Sequence, residues 1–202
     1  MVNIGSECIR LRVLWQGFIL AAMKVLVVGA SGRTGRLLVA GALERGHEVT
    51  ALVRAPERLG DLRERVRVVR GDVLDGGVAS DAVDGQEAVL AALGAATRKG
   101  DPAVSAQGTL NVIRSMQRYH VRRLVVLSAG GTQPGPDPNL PWAYERIFKP
   151  LFLKHACADL RRMETSVRQS QLDWTIVRAA RGLVDGPARG GYRVEPGPPR
   201  PS

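Results

Sequence analysis

The sequence has few of the side chains that build metal centres or disulfide bonds. Its only cysteines are Cys8 and Cys157, and its only histidines are His47, His120 and His155. The cysteines lie far apart without a CxxC pair, and the histidines are isolated from one another. Because a metal site needs several such residues at short spacings, we expect no metal site in this chain.

Aromatic residues make up only 4% of the 202 residues, so aliphatic side chains and alanine must form most of any core. Hydrophobic residues account for 45% and charged residues for 24%, as in ordinary globular proteins. This composition argues against disorder of the whole chain, and the length suits one domain with a sizeable core.

Lysine is scarce although the formal net charge is +10, because most of the 29 basic residues are arginines. The arginines are spread along the chain and do not form the concentrated basic face that nucleic-acid binding requires. We therefore expect most of them to be solvated surface residues, and we expect no nucleic-acid partner. Arginine also donates paired hydrogen bonds to phosphate, so a few of them suit a phosphorylated ligand.

The amino end lacks a long apolar run. Residues 13–22 are mostly apolar but include Gln16 and Gly17, and the run is too short to span a membrane. Basic residues precede it, so the segment loosely resembles a signal peptide. Since the first strand-like run begins just after Met23, we expect residues 1–22 to be an appendage outside the fold. We expect a cytoplasmic protein with no membrane partner.

Six short runs rich in β-branched and aliphatic residues alternate with segments of helical spacing. The predicted strands span residues 24–29, 48–53, 66–70, 87–93, 123–127 and 173–177. The predicted helices span residues 32–45, 75–85, 102–119 and 142–170, the last with a break near Pro150. Periodicity alone would also allow a helix over the alanine-rich fourth run, but its place in the alternation favours a strand. This order predicts an α/β fold with a doubly wound parallel sheet of the Rossmann type, as a single domain over residues 23–195.

The first predicted strand runs directly into a glycine-rich turn with the pattern GxxGxxG, formed by Gly29, Gly32 and Gly35. Glycines at this position allow a tight turn, a close approach of the backbone to a pyrophosphate, and close packing of the helix on the strand. The amino end of the following helix attracts phosphate. Side chains that can add hydrogen bonds here are Ser31, Arg33 and Thr34. A plain glycine turn is the alternative, but the strand–turn–helix context favours a dinucleotide site.

The second predicted strand is followed by Arg54, with Arg58 four positions later. A fold that prefers NAD usually places an acidic residue here to bind the 2′-hydroxyl of the ribose. Two guanidinium groups would instead attract a 2′-phosphate, so these arginines predict NADP(H) as the cofactor, with NAD(H) as a second candidate. The alternative is that both arginines are ordinary surface residues.

The third and fourth predicted strands end at the same edge of the sheet. After the third strand, Asp72 could accept a hydrogen bond from the adenine amino group, and Val73 could contact the adenine ring. A plain turn aspartate is an equally supported interpretation of Asp72. Leu93 and Gly94 close the fourth strand, where small residues would let the nicotinamide ribose pass near the backbone.

These pieces occur together and in order, with KVLVVGASGRTG at 24–35, GDV at 71–73, LVVLSA at 124–129 and LDWTIVR at 172–178. The set resembles the atypical short-chain dehydrogenase/reductase families, and most of all the flavin reductase/biliverdin-IXβ reductase group and the NmrA-like proteins. The resemblance covers about residues 23–195 and implies a serine near the nicotinamide, which is Ser128 here. It also implies cofactor contacts at Gly29, Ser31, Gly32, Arg33, Thr34, Arg54, Arg58, Asp72, Val73, Leu93 and Gly94.

The resemblance implies a reductase that transfers a hydride from NADPH to a planar small-molecule acceptor, such as a flavin, a tetrapyrrole or a quinone. It also implies a monomer or a weak homo-oligomer. Typical short-chain dehydrogenases transfer protons through a Tyr-x-x-x-Lys pair, but Tyr144 has Phe148 at that spacing and Lys149 one position later. The flavin-reductase-like group does without this pair. Ser128 is then the candidate catalytic residue, to orient the nicotinamide or the acceptor or to relay a proton; a serine that merely ends a strand is an equally supported alternative.

Two further departures from the family concern the carboxyl-terminal part. Arg178 is followed by Ala179 and Ala180, where the relatives continue with Pro-Gly. Residues 196–202 form a Pro/Gly-rich tail where the relatives add a strand and a helix, so we expect a truncated copy with an altered substrate side. A non-catalytic NADP(H)-binding redox sensor of the NmrA-like type is therefore the alternative function.

Overall fold

The computed structural model describes residues 21–94, 103–129, 132 and 154–179. The expected appendage over residues 1–22 and the tail over residues 196–202 lie almost wholly outside these ranges, as does the first part of the long helix predicted from residue 142. Within the described ranges, no helix combines the length and the apolar character needed to cross a membrane.

Strands and helices alternate along the described chain. The strands are β1 (Lys24–Val28), β2 (Glu48–Val53), β3 (Arg67–Arg70), β4 (Ala88–Ala91), β5 (Arg123–Ala129) and β6 (Asp173–Ala179). The helices are α1 (Arg33–Glu44), α2 (Gly76–Val83), α3 (Val104–Arg118) and α4 (Lys154–Gln169). A 3₁₀ segment over Pro56–Arg65 joins β2 to β3, where the sequence predicts only a polar link.

The six strands form one sheet in the order β3-β2-β1-β4-β5-β6, and every neighbouring pair is parallel. The order reverses direction between β1 and β4, the position at which doubly wound sheets bind their ligands. The prediction of a doubly wound Rossmann-type α/β fold is confirmed. The alanine-rich fourth run is a strand, as its place in the alternation indicated.

Two hydrophobic cores cover the two faces of this sheet, and β1 contributes to both. Val27 packs with α1 and the 3₁₀ segment on one face, while Leu26 and Val28 pack with α2, α3 and α4 on the other. All three side chains have 0% exposure, which explains why every residue of β1 after the exposed Lys24 is apolar. With both faces covered, the carboxyl ends of the strands are left to form a site.

Close packing around the end of β1 depends on two glycines, one facing the chain beyond β4 and one in α1. Gly29 has a φ of +80°, and an added Cβ would overlap the backbone carbonyl of Ala92 beyond β4. A Cβ at Gly35 would overlap the carbonyl oxygen of Gly29, so α1 can lie at this distance only with glycine there. Both contacts involve backbone atoms, which cannot move aside as a flexible side chain can.

We predict that Gly35→Ala lowers the free energy of unfolding by about 2 kcal/mol or more, because the new methyl group displaces α1 from β1. Gly76→Ala is the matched control, since a Cβ at this helical glycine meets no atom within 4 Å. We expect the control to be as stable as the parent protein. Urea denaturation followed by circular dichroism measures both, and equal stability of the two variants would contradict the packing argument.

Candidate functional site

A cleft lies at the carboxyl edge of the sheet, across the ends of β1, β2, β3 and β4. The lining residues that the sequence also singled out are Gly29, Ser31, Gly32, Arg54, Arg58, Asp72, Val73, Leu93 and Gly94. Further lining residues are Val28, Leu52, Val53, Gly71, Ala92 and Val104. Segments that are distant in sequence therefore meet at one cleft, as the common direction of the strands requires.

The turn between β1 and α1 forms one wall of the cleft. The amide of Gly32 donates to the carbonyl of Gly29 at 3.0 Å, and the amide of Arg36 donates to the carbonyl of Gly32 at 3.0 Å. Gly32 is the cap residue of α1 and has no side chain, and the first turn of α1 contains no acidic residue. The first turn of α1 therefore brings no carboxylate of its own to the positive end of the helix dipole, which suits a phosphate ligand.

Arg54 and Arg58 lie at the far rim of the cleft, beyond the end of β2. The Nη1 atom of Arg54 is 3.6 Å from Oδ2 of Asp72, and the two side chains are 68% and 39% exposed. Exposed ion pairs of this length stabilise a protein by about 0–1 kcal/mol. A phosphate group can therefore compete for this guanidinium at little cost.

Asp72 holds its own turn as well as facing Arg54. Its Oδ1 atom accepts a hydrogen bond from the amide of Leu74 at 3.0 Å, the geometry of an aspartate that organises a turn. This contact matches the turn interpretation, and the position of Asp72 in the cleft wall still allows a contact with adenine. The role of Asp72 toward the cofactor therefore stays a prediction.

Helix α3 supports the cleft through two residues that the sequence reasoning missed. The Nδ2 atom of Asn111 donates to the carbonyls of Val73 and Leu74 at 3.0 and 2.9 Å. Gly108 lies so close to the cleft wall that an added Cβ would be 2.7 Å from Cγ1 of Val73 and 3.0 Å from Cδ1 of Leu93. In the sequence these two residues are only a polar residue and a glycine within a predicted helix. That pattern does not indicate which residues they contact.

A second polar cluster lies at the ends of β5 and β6 and centres on Glu164 of α4. Its Oε1 atom accepts hydrogen bonds from Ser128 Oγ at 2.7 Å, Thr132 Oγ1 at 2.9 Å and Arg178 Nε at 2.9 Å. Its Oε2 atom accepts a hydrogen bond from Arg178 Nη2 and lies 3.6 Å from Nη2 of Arg168. The sequence pointed to Ser128 and Arg178 but not to Glu164, which is 36 residues from Ser128.

Glu164 is ionised in this cluster. Burial raises the pKa of its carboxyl group, but hydrogen bonds from Arg178, Ser128 and Thr132 lower it by more, so the pKa falls from 4.5 to about 2. The hydrogen bond with Glu164 in turn raises the pKa of the Arg178 guanidinium. Both side chains are therefore charged at neutral pH, Glu164 buried and Arg178 half-buried.

Not every residue that the sequence singled out lines the cleft. Arg33, Thr34 and Gly35 form the first turn of α1 and are not among the residues that line the cleft. Ser128 is only 4% exposed and is turned toward Glu164. Tyr144, with the residues around it, lies outside the described ranges.

Fold and cleft together define a dinucleotide-binding protein of the Rossmann class. The glycine turn, the undisturbed helix amino end and the exposed guanidinium groups all fit a phosphorylated dinucleotide. Comparison with known families agrees: the profile of the NAD(P)H-binding family matches residues 29–201. The chain belongs to this NAD(P)H-binding family, and its cofactor is a nicotinamide dinucleotide.

Known proteins with similar sequences and folds support this assignment. The photosystem II assembly factor Ycf39 of Synechocystis is 33% identical over 170 residues, which cover 81% of this chain and 46% of that protein. The anaerobillin reductase ChuY of Escherichia coli O157:H7 superposes with a TM-score of 0.67 at 23% identity, covering 83% of this chain and 77% of that chain. A short-chain dehydrogenase/reductase of Veillonella parvula in complex with NADP gives 0.63 at 22% identity, covering 77% and 68%.

These comparisons confirm the resemblance to the atypical short-chain dehydrogenase/reductase group. The chain is related to NAD(P)-dependent oxidoreductases and shares their fold. It spans 36% to 46% of the length of the first curated relatives that it matches.

We predict that Gly108→Ala weakens NADPH binding several-fold, because its methyl group pushes Val73 and Leu93 into the cleft. Gly41→Ala is the matched control in a helix, since its Cβ meets only the flexible end of Arg45 at 3.2 Å. Fluorescence titration with NADPH measures both dissociation constants. A Gly108→Ala protein that binds as tightly as the control would show that α3 does not set the shape of the cleft.

A second prediction concerns acid stability. The pKa of Glu164 is lower in the folded protein than in the unfolded chain, so its charge stabilises the fold above pH 4.5, and this contribution is lost as the pH falls from 4.5 through about 2. Between pH 7 and pH 3.5 we expect the parent protein to lose about 1 kcal/mol more of its unfolding free energy than Glu164→Gln does. Urea denaturation at the two pH values measures this difference, and parallel losses would contradict the assigned pKa.

Proposed function

We propose that this chain is an NADPH-dependent oxidoreductase that reduces a planar acceptor such as a flavin, a tetrapyrrole or a quinone. When bound, the nicotinamide supplies the hydride, and the protein supplies orientation and exclusion of water. The observation that carries the proposal is the cleft itself, which runs from the glycine turn at β1 to the exposed Gly94 beyond β4. Family membership and the shared fold with a reductase support it.

Each part of the cleft has a binding role in this proposal. The turn from Gly29 to Gly35 binds the pyrophosphate, with the amino end of α1 directed at its charge. Asp72 and Val73 contact the adenine, and the end of β4 contacts the nicotinamide ribose. Ser128 then lies near the nicotinamide, since β5 is the next strand beyond β4.

Preference for NADPH over NADH rests on Arg54 and Arg58. Both side chains are exposed at the rim of the cleft, and neither is held by a strong ion pair among the described residues. Charge-assisted hydrogen bonds to phosphate are about twice as strong as neutral ones, so the two guanidinium groups favour the phosphorylated ribose.

The direct experiment measures NADPH oxidation at 340 nm with FMN, a tetrapyrrole or a quinone as acceptor. Turnover with at least one acceptor supports the proposal, and NADPH without an acceptor is the blank. Tight NADPH binding with no turnover on any of the three would favour the alternative function.

That alternative is a non-catalytic NADP(H)-binding sensor. One observation favours it: a relative that covers most of this chain is named as an assembly factor, not as an enzyme. The same cleft would then bind the cofactor, and its occupancy would change the affinity for another protein.

We predict that Arg54→Ala weakens NADPH binding roughly tenfold while NADH binding changes by less than about twofold, because only NADPH carries the 2′-phosphate. Arg114→Ala removes another exposed arginine, on α3 and outside the cleft lining, and serves as the matched control. Isothermal titration calorimetry with NADPH and with NADH measures the two dissociation constants for each protein. Equal losses for NADPH and NADH would refute the assignment of Arg54 to the 2′-phosphate.

A further inference from the structure

The buried cluster around Glu164 determines the direction of the hydrogen bond that Ser128 makes. A carboxylate has no proton and can only accept, so the 2.7 Å contact requires the Ser128 hydroxyl to donate. A serine hydroxyl has one proton. Once that proton is directed at Glu164, the remaining lone pairs of Ser128 Oγ can only accept hydrogen bonds from a ligand.

Glu164 is well held as an acceptor. Its side chain is 9% exposed, and the guanidinium of Arg178 contacts both of its oxygens. Two parallel bonds between a guanidinium and a carboxylate fix both side chains in one geometry. Oε1 is therefore presented to Ser128 from a rigid position, with Thr132 as a second hydroxyl donor at 2.9 Å.

The position of Ser128 brings this acceptor to the nicotinamide end of the cleft. Ala91, the last residue of β4, is in register with Val126 of β5. Continuing that register by two residues places Leu93, beyond the end of β4, opposite Ser128. Leu93 lines the cleft, and adjacent strands lie about 4.8 Å apart. The nicotinamide carboxamide is the part of the cofactor that offers N–H donors there.

We propose that Glu164 is a positioning residue that commits the Ser128 hydroxyl proton and so makes Ser128 an acceptor for the carboxamide N–H of the nicotinamide. This inference rests on the proposed function, because it assumes that the nicotinamide lies at the β4–β5 end. Under this proposal Ser128 orients the cofactor and does not relay a proton.

The test compares two nucleotides that differ at this one group. NADP⁺ carries a carboxamide, whereas its 3-acetylpyridine analogue keeps the carbonyl and lacks the N–H donors. We expect the parent protein to bind NADP⁺ more tightly than the analogue, by about threefold to tenfold, and we expect Ser128→Ala to reduce this ratio to near one. Ser128→Ala leaves the Glu164–Arg178 pair intact, so it should fold.

Thr132→Val is the matched control, since it removes the other hydroxyl on Glu164 Oε1 and leaves the Ser128 contact in place. We expect it to keep the parent ratio. A double variant, Glu164→Ala with Arg178→Ala, frees the Ser128 proton without leaving a buried charge unpaired. In this variant we expect the preference for NADP⁺ over the analogue to fall to near one, although Ser128 is present. Circular dichroism checks that the variant folds. If it does not fold, the Ser128→Ala result still decides.

Two outcomes would overturn the proposal. If Ser128→Ala weakens the binding of both nucleotides by the same factor, Ser128 donates to the carbonyl that they share. If it weakens the binding of neither nucleotide, Ser128 does not contact the ring substituent. Either result leaves the proposed function standing, because both nucleotides still bind. A parent protein that binds neither NADP⁺ nor NADPH overturns the proposed function and this inference together.

Discussion

The cleft depends on how closely α1 approaches the end of β1. Gly35 allows this approach, because a Cβ there would overlap the carbonyl oxygen of Gly29, while Gly29 allows the chain beyond β4 to pass close to the same turn. The short distance aims the amino end of α1 across the carboxyl edge of the sheet. The ends of β2, β3 and β4 form the other walls of the cleft, opposite the positive end of the α1 dipole. Residues that follow four separate strands therefore form a single site.

The site combines a buried, well-packed wall with an exposed rim. The wall is built on buried elements: Asn111 fixes the turn after β3 with two hydrogen bonds, and Gly108 lets Val73 and Leu93 pack on α3. Arg54, in contrast, is exposed, and among the described residues its ion pair is the long contact with Asp72. A rigid wall sets the shape that a ring system must match, while an exposed guanidinium reaches a phosphate at little energetic cost.

At the ends of β5 and β6 the site contains an ion pair, formed by Glu164 and Arg178. A buried pair contributes to specificity only when its remaining polar partners are satisfied, and here two hydroxyl groups complete the set. The consequence is local: the direction of the Ser128 hydrogen bond is fixed before any ligand arrives. Preorganised polar groups of this kind need no rearrangement on binding.

The strand and helix order, the doubly wound topology and the glycine turn could be predicted from the sequence, because hydrophobic periodicity and glycine spacing act over short stretches of chain. The sequence also located the strand ends that carry Arg54, Asp72 and Leu93. Three contacts became evident only in the folded molecule: Asp72 faces Arg54, Asn111 supports the turn after β3, and Glu164 accepts a hydrogen bond from Ser128. These contacts join residues 18 to 38 positions apart, and a pattern along the chain carries no information about which buried polar groups will meet across packed elements.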